Sequence, residues 1–128
     1  MDRLKILLVD DEVDFLETMS PIIESWGYDL IKAANGKEAI EALTDKKPDI
    51  IILDYMMPQM DGIAALIEIR KIDKKIPVIM FTAYPDSRSM KGAGKLGVSA
   101  FIPKVSVFSD AHATLKTAIV MAGKKLRR

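Results

Sequence analysis

No cysteine occurs among the 128 residues, which excludes a disulfide framework and a thiolate metal site and leaves oxygen ligands for any cation. Charge of one sign is not in excess: nineteen Lys and Arg face eighteen Asp and Glu, a formal net charge of +1. The overall balance therefore gives no bias toward nucleic acid, and the basic end Lys124-Lys125-Leu126-Arg127-Arg128 reads as a solvated helix terminus. Long hydrophobic runs are also missing. The uninterrupted apolar stretches are a handful of residues, far below the roughly 18 that a bilayer span needs. The opening Met1-Asp2-Arg3-Leu4-Lys5 lacks the apolar region of a signal peptide. A cytoplasmic protein with no direct contact to membrane or nucleic acid is expected. Histidine is reduced to His112, which sits on a helical stretch without a partner cluster, so a phosphohistidine carrier is not expected.

What is present is an apolar content of 49% in 128 residues, suited to one globular domain with its own core and no room for a second. The expected organisation is a single domain over 1–128. Short apolar runs bounded by Gly, Pro, Asn or Asp fall at Leu4 to Val9, Tyr28 to Ala33, Asp49 to Leu53, Pro77 to Phe81 and Ala100 to Ile102. Between them lie stretches with helical spacing. Phe15, Leu16, Met19, Ile22 and Ile23 mark the first, Ala39, Ile40 and Leu43 the second, and Ile63, Leu66, Ile67 and Ile69 the third. A fourth covers Ser87 to Leu96, and a fifth runs from Ser109 to Ala122 with Leu115, Ala118 and Ile119 facing inward. Strand and helix alternate five times. With strands apolar on both faces, the expected fold is α/β, a five-stranded parallel sheet flanked by five helices.

Carboxylates stand at the ends of two of these runs: Asp10 and Asp11 after Ile6-Leu7-Leu8-Val9, and Asp54 after Ile50-Ile51-Ile52-Leu53. A carboxylate at the end of a buried strand is costly to desolvate without a partner. If the two strands are neighbours, the carboxylates converge in one crevice, where each close pair repels by roughly 3–4 kcal/mol at an effective dielectric of about 20. A divalent cation and a lysine would relieve this. Strand four ends in Thr82-Ala83 and strand five in Pro103-Lys104, so polar chemistry gathers at the carboxyl edge, where open sheets of this kind bind ligands. Strand two ends in Ala33-Ala34-Asn35-Gly36, with nothing reactive.

Taken together, Val9-Asp10-Asp11-Glu12, Leu53-Asp54-Tyr55-Met56-Met57-Pro58, Met60-Asp61-Gly62, Phe81-Thr82-Ala83 and Ala100-Phe101-Ile102-Pro103-Lys104 resemble the receiver domains of two-component response regulators over essentially the whole chain. The resemblance implies strand order 2-1-3-4-5, a flavodoxin-like three-layer sandwich. It implies a phosphorelay switch that accepts a phosphoryl group from a histidine kinase or phosphotransfer protein. A reshaped surface of helix four, strand five and helix five then controls a downstream protein or a missing output domain, with homodimerisation on that face as one mode of activation. It also implies a protein that is not an enzyme in the ordinary sense, catalysing only its own phosphorylation and dephosphorylation.

Residue roles follow. Asp54 is the expected phosphoacceptor, a carboxylate able to hold an acyl phosphate. Mg2+ is the expected cofactor, with Mn2+ an admissible substitute. Its ligands would be Asp11 and Asp54 directly, Asp10 through water, and, by analogy with the family, the carbonyl of Met56. Lys104, the Thr82 hydroxyl and the Ala83 backbone N–H would hold the phosphoryl oxygens. Movement of Thr82 would let Phe101 turn inward; this ring lacks the hydroxyl that many relatives carry as tyrosine. Asp61, just before Gly62, reads as a helix N-cap rather than a ligand. Trp26-Gly27 reads as the end of helix one, and Met56, Met57 and Met60 as gap-filling hydrophobes. Tyr84 would overhang the site or lie on the surface.

Three features depart from a plain reading. Val105 follows Lys104 where relatives commonly have proline, so the loop from Val105 to Phe108 is expected to differ. Pro21 inside helix one is expected to bend it near Glu17 to Pro21. Gly92 and Gly94 are expected to soften helix four. Two other readings are a phosphorylation-independent receiver that only binds partners and a small Mg2+ aspartyl phosphohydrolase. The first would be expected to lack Asp54, Thr82 or Lys104, and the second needs a substrate cap that 128 residues cannot supply.

Overall fold

A computed structural model describes residues 3–54, 61–82, 87–103 and 108–126. Ten elements alternate along the chain: β1 (Lys5–Val9), α1 (Val13–Ser25), β2 (Asp29–Ala33), α2 (Gly36–Lys46), β3 (Ile50–Leu53), α3 (Gly62–Ile72), β4 (Val78–Thr82), α4 (Ser87–Lys95), β5 (Ala100–Pro103) and α5 (Phe108–Leu126). The strands form one parallel sheet in the order β2-β1-β3-β4-β5. The expected fold class and strand order are therefore those observed.

Side chains alternate across a strand, and the core divides accordingly. Leu7, Val9, Ile51, Leu53, Val78 and Met80 face one side and pack with Ala39, Leu43, Leu66, Ile69 and Ala93, from α2, α3 and α4. Ile6, Leu8, Ile50, Ile52, Ile79 and Phe81 face the other and pack with Leu16, Met19, Ile23, Leu115 and Ile119, from α1 and α5. Each residue of β3 is buried, as a central strand covered on both faces requires.

Local signals explain the helix ends. Asn35 caps α2, its side chain accepting from the Glu38 N–H at 2.8 Å, while the Glu38 carboxylate accepts from the Ala34 N–H at 2.8 Å. Asp61 caps α3 by accepting from the Ala64 N–H at 2.8 Å, as its place before Gly62 predicts. Trp26 ends α1 half-buried against the second core, with the Lys116 ammonium 5.8 Å from its ring centre. Helix α1 continues through Pro21 as one thirteen-residue element. Both Pro21 and Glu17, whose carbonyl loses its i+4 donor, are exposed, so water can replace that bond. Helix α5 runs past Ala122 to Leu126. Among the described residues no helix is long and apolar enough to cross a membrane.

Candidate functional site

The crossover from β1 out to β2 and back to β3 leaves a crevice above the carboxyl ends of β1 and β3. Their register is Val9 opposite Leu53, so the next residues, Asp10 and Asp54, leave the sheet at the same level. Two backbone bonds lock that geometry: the Asp54 N–H donates to the Val9 carbonyl and the Asp10 N–H to the Ala33 carbonyl, both at 3.0 Å. Asp10 and Asp54 are only 1% and 4% exposed, which marks them as carboxylates withdrawn from water rather than surface charges.

A third carboxylate joins them. Asp10, Glu12 and Asp54 each place an oxygen within 4.8 Å of the others. The Glu12 N–H donates to Asp10 Oδ1 at 3.0 Å, tying the chain just before α1 to the site. Repulsion within the buried Asp10–Asp54 pair is on the order of 3 kcal/mol at an effective dielectric of about 20. The donor set is entirely oxygen, the chemistry that a hard divalent cation selects. Expectation grouped Asp11 with Asp10 and Asp54. Asp11 is half-buried beside them but is not one of the three carboxylates that meet. Glu12 was legible only as part of the Val9-Asp10-Asp11-Glu12 string; its convergence depends on how α1 starts.

Thr82 closes β4 opposite Pro103 of β5, and the Leu53–Met80 register brings it to the same edge as Asp54. Phe101 lies opposite Met80 and is half-buried against the core formed with α2, α3 and α4. Met56, Ala83 and Lys104 lie outside the described residues, as do Met57, Met60, Tyr84 and the loop that begins at Val105. Away from the carboxylates, a cavity of about 540 Å³ opens between β5 and α5, lined by residues that include Phe101, Ala118, Met121 and Lys125.

Comparison with known proteins agrees with this geometry. Residues 6–116 match the family model described as response regulator receiver domain. The chain is 33% identical over 118 residues to the transcriptional regulatory protein ZraR of Escherichia coli K12, a match covering 92% of this chain and 27% of that protein. It is 35% identical over 100 residues to sporulation initiation phosphotransferase F of Bacillus subtilis 168, covering 78% of this chain and 81% of that one. The structure is similar to the CheX–CheY–BeF3–Mg2+ complex from Borrelia burgdorferi, with a TM-score of 0.83, 31% identity and coverage of 92% and 87%. The chain thus spans about a quarter of the length of the ZraR proteins that it matches.

Proposed function

The chain belongs to the response regulator receiver domain family, and from that premise we propose that Asp54 is a phosphoacceptor whose modification switches a protein-binding surface. The observation that carries this reading is the buried Asp54 carboxylate held beside Asp10 and Glu12 at the crossover of the sheet. An Asp54 oxygen attacks phosphorus in line. The bond from phosphorus to the donor breaks as the new O–P bond forms, and the leaving group departs with the electron pair: imidazole from a phosphohistidine, or acetate from acetyl phosphate. Water later releases inorganic phosphate and restores the carboxylate.

Such a transfer depends on positioning and charge neutralisation more than on acid–base chemistry. Bound Mg2+ supplies that neutralisation by drawing charge from the phosphoryl oxygens. Asp10, Asp54 and Glu12 are the carboxylates we assign to it, with Asp11 and the Met56 carbonyl as the further ligands that the family resemblance implies. Lys104, the Thr82 hydroxyl and the Ala83 N–H are assigned to the phosphoryl oxygens, and Thr82 with Phe101 to the switch. The Borrelia burgdorferi CheY solved with BeF3 and Mg2+ supports this assignment by similarity.

The phosphoryl donor is a sensor histidine kinase or a phosphotransfer protein, and the output is a downstream protein or an output domain. The chemistry confined to Asp54 is self-phosphorylation and self-dephosphorylation, in the cytoplasm. Intact mass after incubation with acetyl phosphate and Mg2+ tests the reading. One phosphoryl adduct is expected, absent in Asp54→Ala. An adduct that persists in that variant, or none in either protein, overturns the assignment.

A further inference from the structure

We infer that Arg70 pins the C-terminal end of α4 to the rest of the domain, so that the response to phosphorylation is confined to the part of α4 that precedes Gly92. The second half of this inference rests on the function proposed above. Arg70 lies in the last turn of α3 and is half-buried. Its guanidinium donates to four main-chain carbonyls: Nε to Leu96 at 2.8 Å, Nη1 to Ile76 at 2.7 Å and to Asp73 at 3.3 Å, and Nη2 to Gly97 at 3.1 Å. Two of these acceptors belong to the loop that leads into β4. The other two immediately follow the last residue of α4. A single side chain therefore joins the end of α3, the start of β4 and the end of α4. Only arginine has enough donors in a fixed fork for this.

Other interactions secure the same end. Gly97, with φ +74°, occupies the left-handed position after the helix. The Val98 N–H reaches back to the Ala93 carbonyl at 3.3 Å and the Gly97 N–H to the Gly94 carbonyl at 3.1 Å, the paired bonds of a Schellman stop. The Ser99 N–H then donates to the Val78 carbonyl at 2.8 Å, joining the chain to β4. The cationic guanidinium also sits at the negative end of the helix dipole, where it is favourable. Burial lowers the pKa of Arg70 from its ordinary value, partly offset by Asp73; the group remains a cation at neutral pH.

Gly92 stands just before this anchored turn and Gly94 at its start, residues at which a helix bends most readily. Neither glycine is required by crowding. A Cβ on Gly92 would meet Ile63 Cδ1 at 3.5 Å, an ordinary contact, and one on Gly94 would meet nothing within 4 Å. The pair can therefore be replaced by alanine without clash. Thr82, assigned to the phosphoryl oxygens, ends β4, and α4 starts at Ser87, five residues later. A displacement passed along that connection enters α4 at its first turn and meets a fixed end about 13 Å away. The two glycines lie between.

Hydrogen exchange read by mass spectrometry on peptides covering 87–91 and 93–99, with and without acetyl phosphate and Mg2+, tests this. In the unsubstituted protein, acetyl phosphate should change exchange over 87–91 by at least fivefold and over 93–99 by less than twofold. Arg70→Met should raise exchange over 93–99 tenfold or more before any phosphate is added, and should then let the phosphate response reach 93–99. Arg70→Lys keeps the stem and charge with one compact donor group, so it should give an intermediate rise; it keeps the test valid if the methionine variant folds poorly. Gly92→Ala with Gly94→Ala should leave the mass adduct intact and shrink the response over 87–91 severalfold. Equal responses in the two peptides of the unsubstituted protein, or unchanged resting exchange in both Arg70 variants, would overturn the inference. A missing adduct refutes the phosphorylation reading and the confinement with it, while the resting exchange still judges the anchor alone.

Discussion

Asp61 and Asp54 carry the same side chain to different ends. The Asp61 carboxylate is exposed and accepts the Ala64 N–H, so its removal in Asp61→Ala should cost about 1 kcal/mol in denaturant unfolding. The acetyl phosphate adduct should form at its usual rate. A variant of unaltered stability that no longer accepts phosphate would instead make Asp61 part of the site. Asp10 is the opposite case: it is withdrawn from water beside Asp54, and its Oδ1 accepts the Glu12 N–H. Asparagine keeps an oxygen for that bond and loses the charge. Mg2+ at ten times its Kd should stabilise the unsubstituted protein by about 1.4 kcal/mol through mass action. For a domain of this size that raises Tm by about 3–6 °C. Asp10→Asn should show a clearly smaller rise at the same Mg2+ concentration, and EDTA should erase both. An undiminished shift would remove Asp10 from the cation site.

Pro21 shows how an element can override a local rule. A proline in a helix interior costs about 3 kcal/mol, yet α1 runs through it, because its lost bond faces water and Leu16, Met19 and Ile23 bury the other side of the helix. Pro21→Ala should therefore stabilise the protein by about 2 kcal/mol: the bond is regained, less the roughly 0.4–1 kcal/mol by which proline restricts the unfolded chain. A loss of stability in urea would mean instead that the ring itself packs. Elements were legible in the sequence where burial dictates composition. All four residues of β3 are buried and apolar, and β1 alternates between two cores. Legibility failed where no apolar period exists. The last turn of α5 carries exposed Lys124 and Lys125, good helix formers that add nothing to a hydrophobic stripe, so the helix outruns its apparent end. The site was readable in Asp10 and Asp54 because a charge at a buried strand end conflicts with its surroundings. Glu12 and Arg70 raise no such conflict. Glu12 is exposed, and the Arg70 acceptors at Leu96 and Gly97 are carbonyls 26 and 27 positions away, available in any sequence.

Across the whole molecule the sheet separates two features. Carboxylates gather over β1 and β3 at the centre, while the cavity between β5 and α5 lies at one side of the sheet. Phe101 stands between them: it lies opposite Met80, packs against the core that contains Leu53, and lines the cavity. Leu53, a member of that core, immediately precedes Asp54. Coupling between two sites requires an element whose arrangement both of them bias, and Phe101 borders both the cavity and the core that contains Leu53. Phe101→Ala should destabilise the domain by about 2 kcal/mol, below the 3–5 kcal/mol of a fully buried phenylalanine because the ring is only half-buried. Phosphorylation of Asp54 by acetyl phosphate should proceed as before, since the ring supplies no ligand or donor to the phosphoryl group. Hydrogen exchange over 100–103 and the facing turn of α5 should then lose its dependence on acetyl phosphate. If that response survives in the alanine variant, the signal reaches the cavity by another route and Phe101 is only a packing residue.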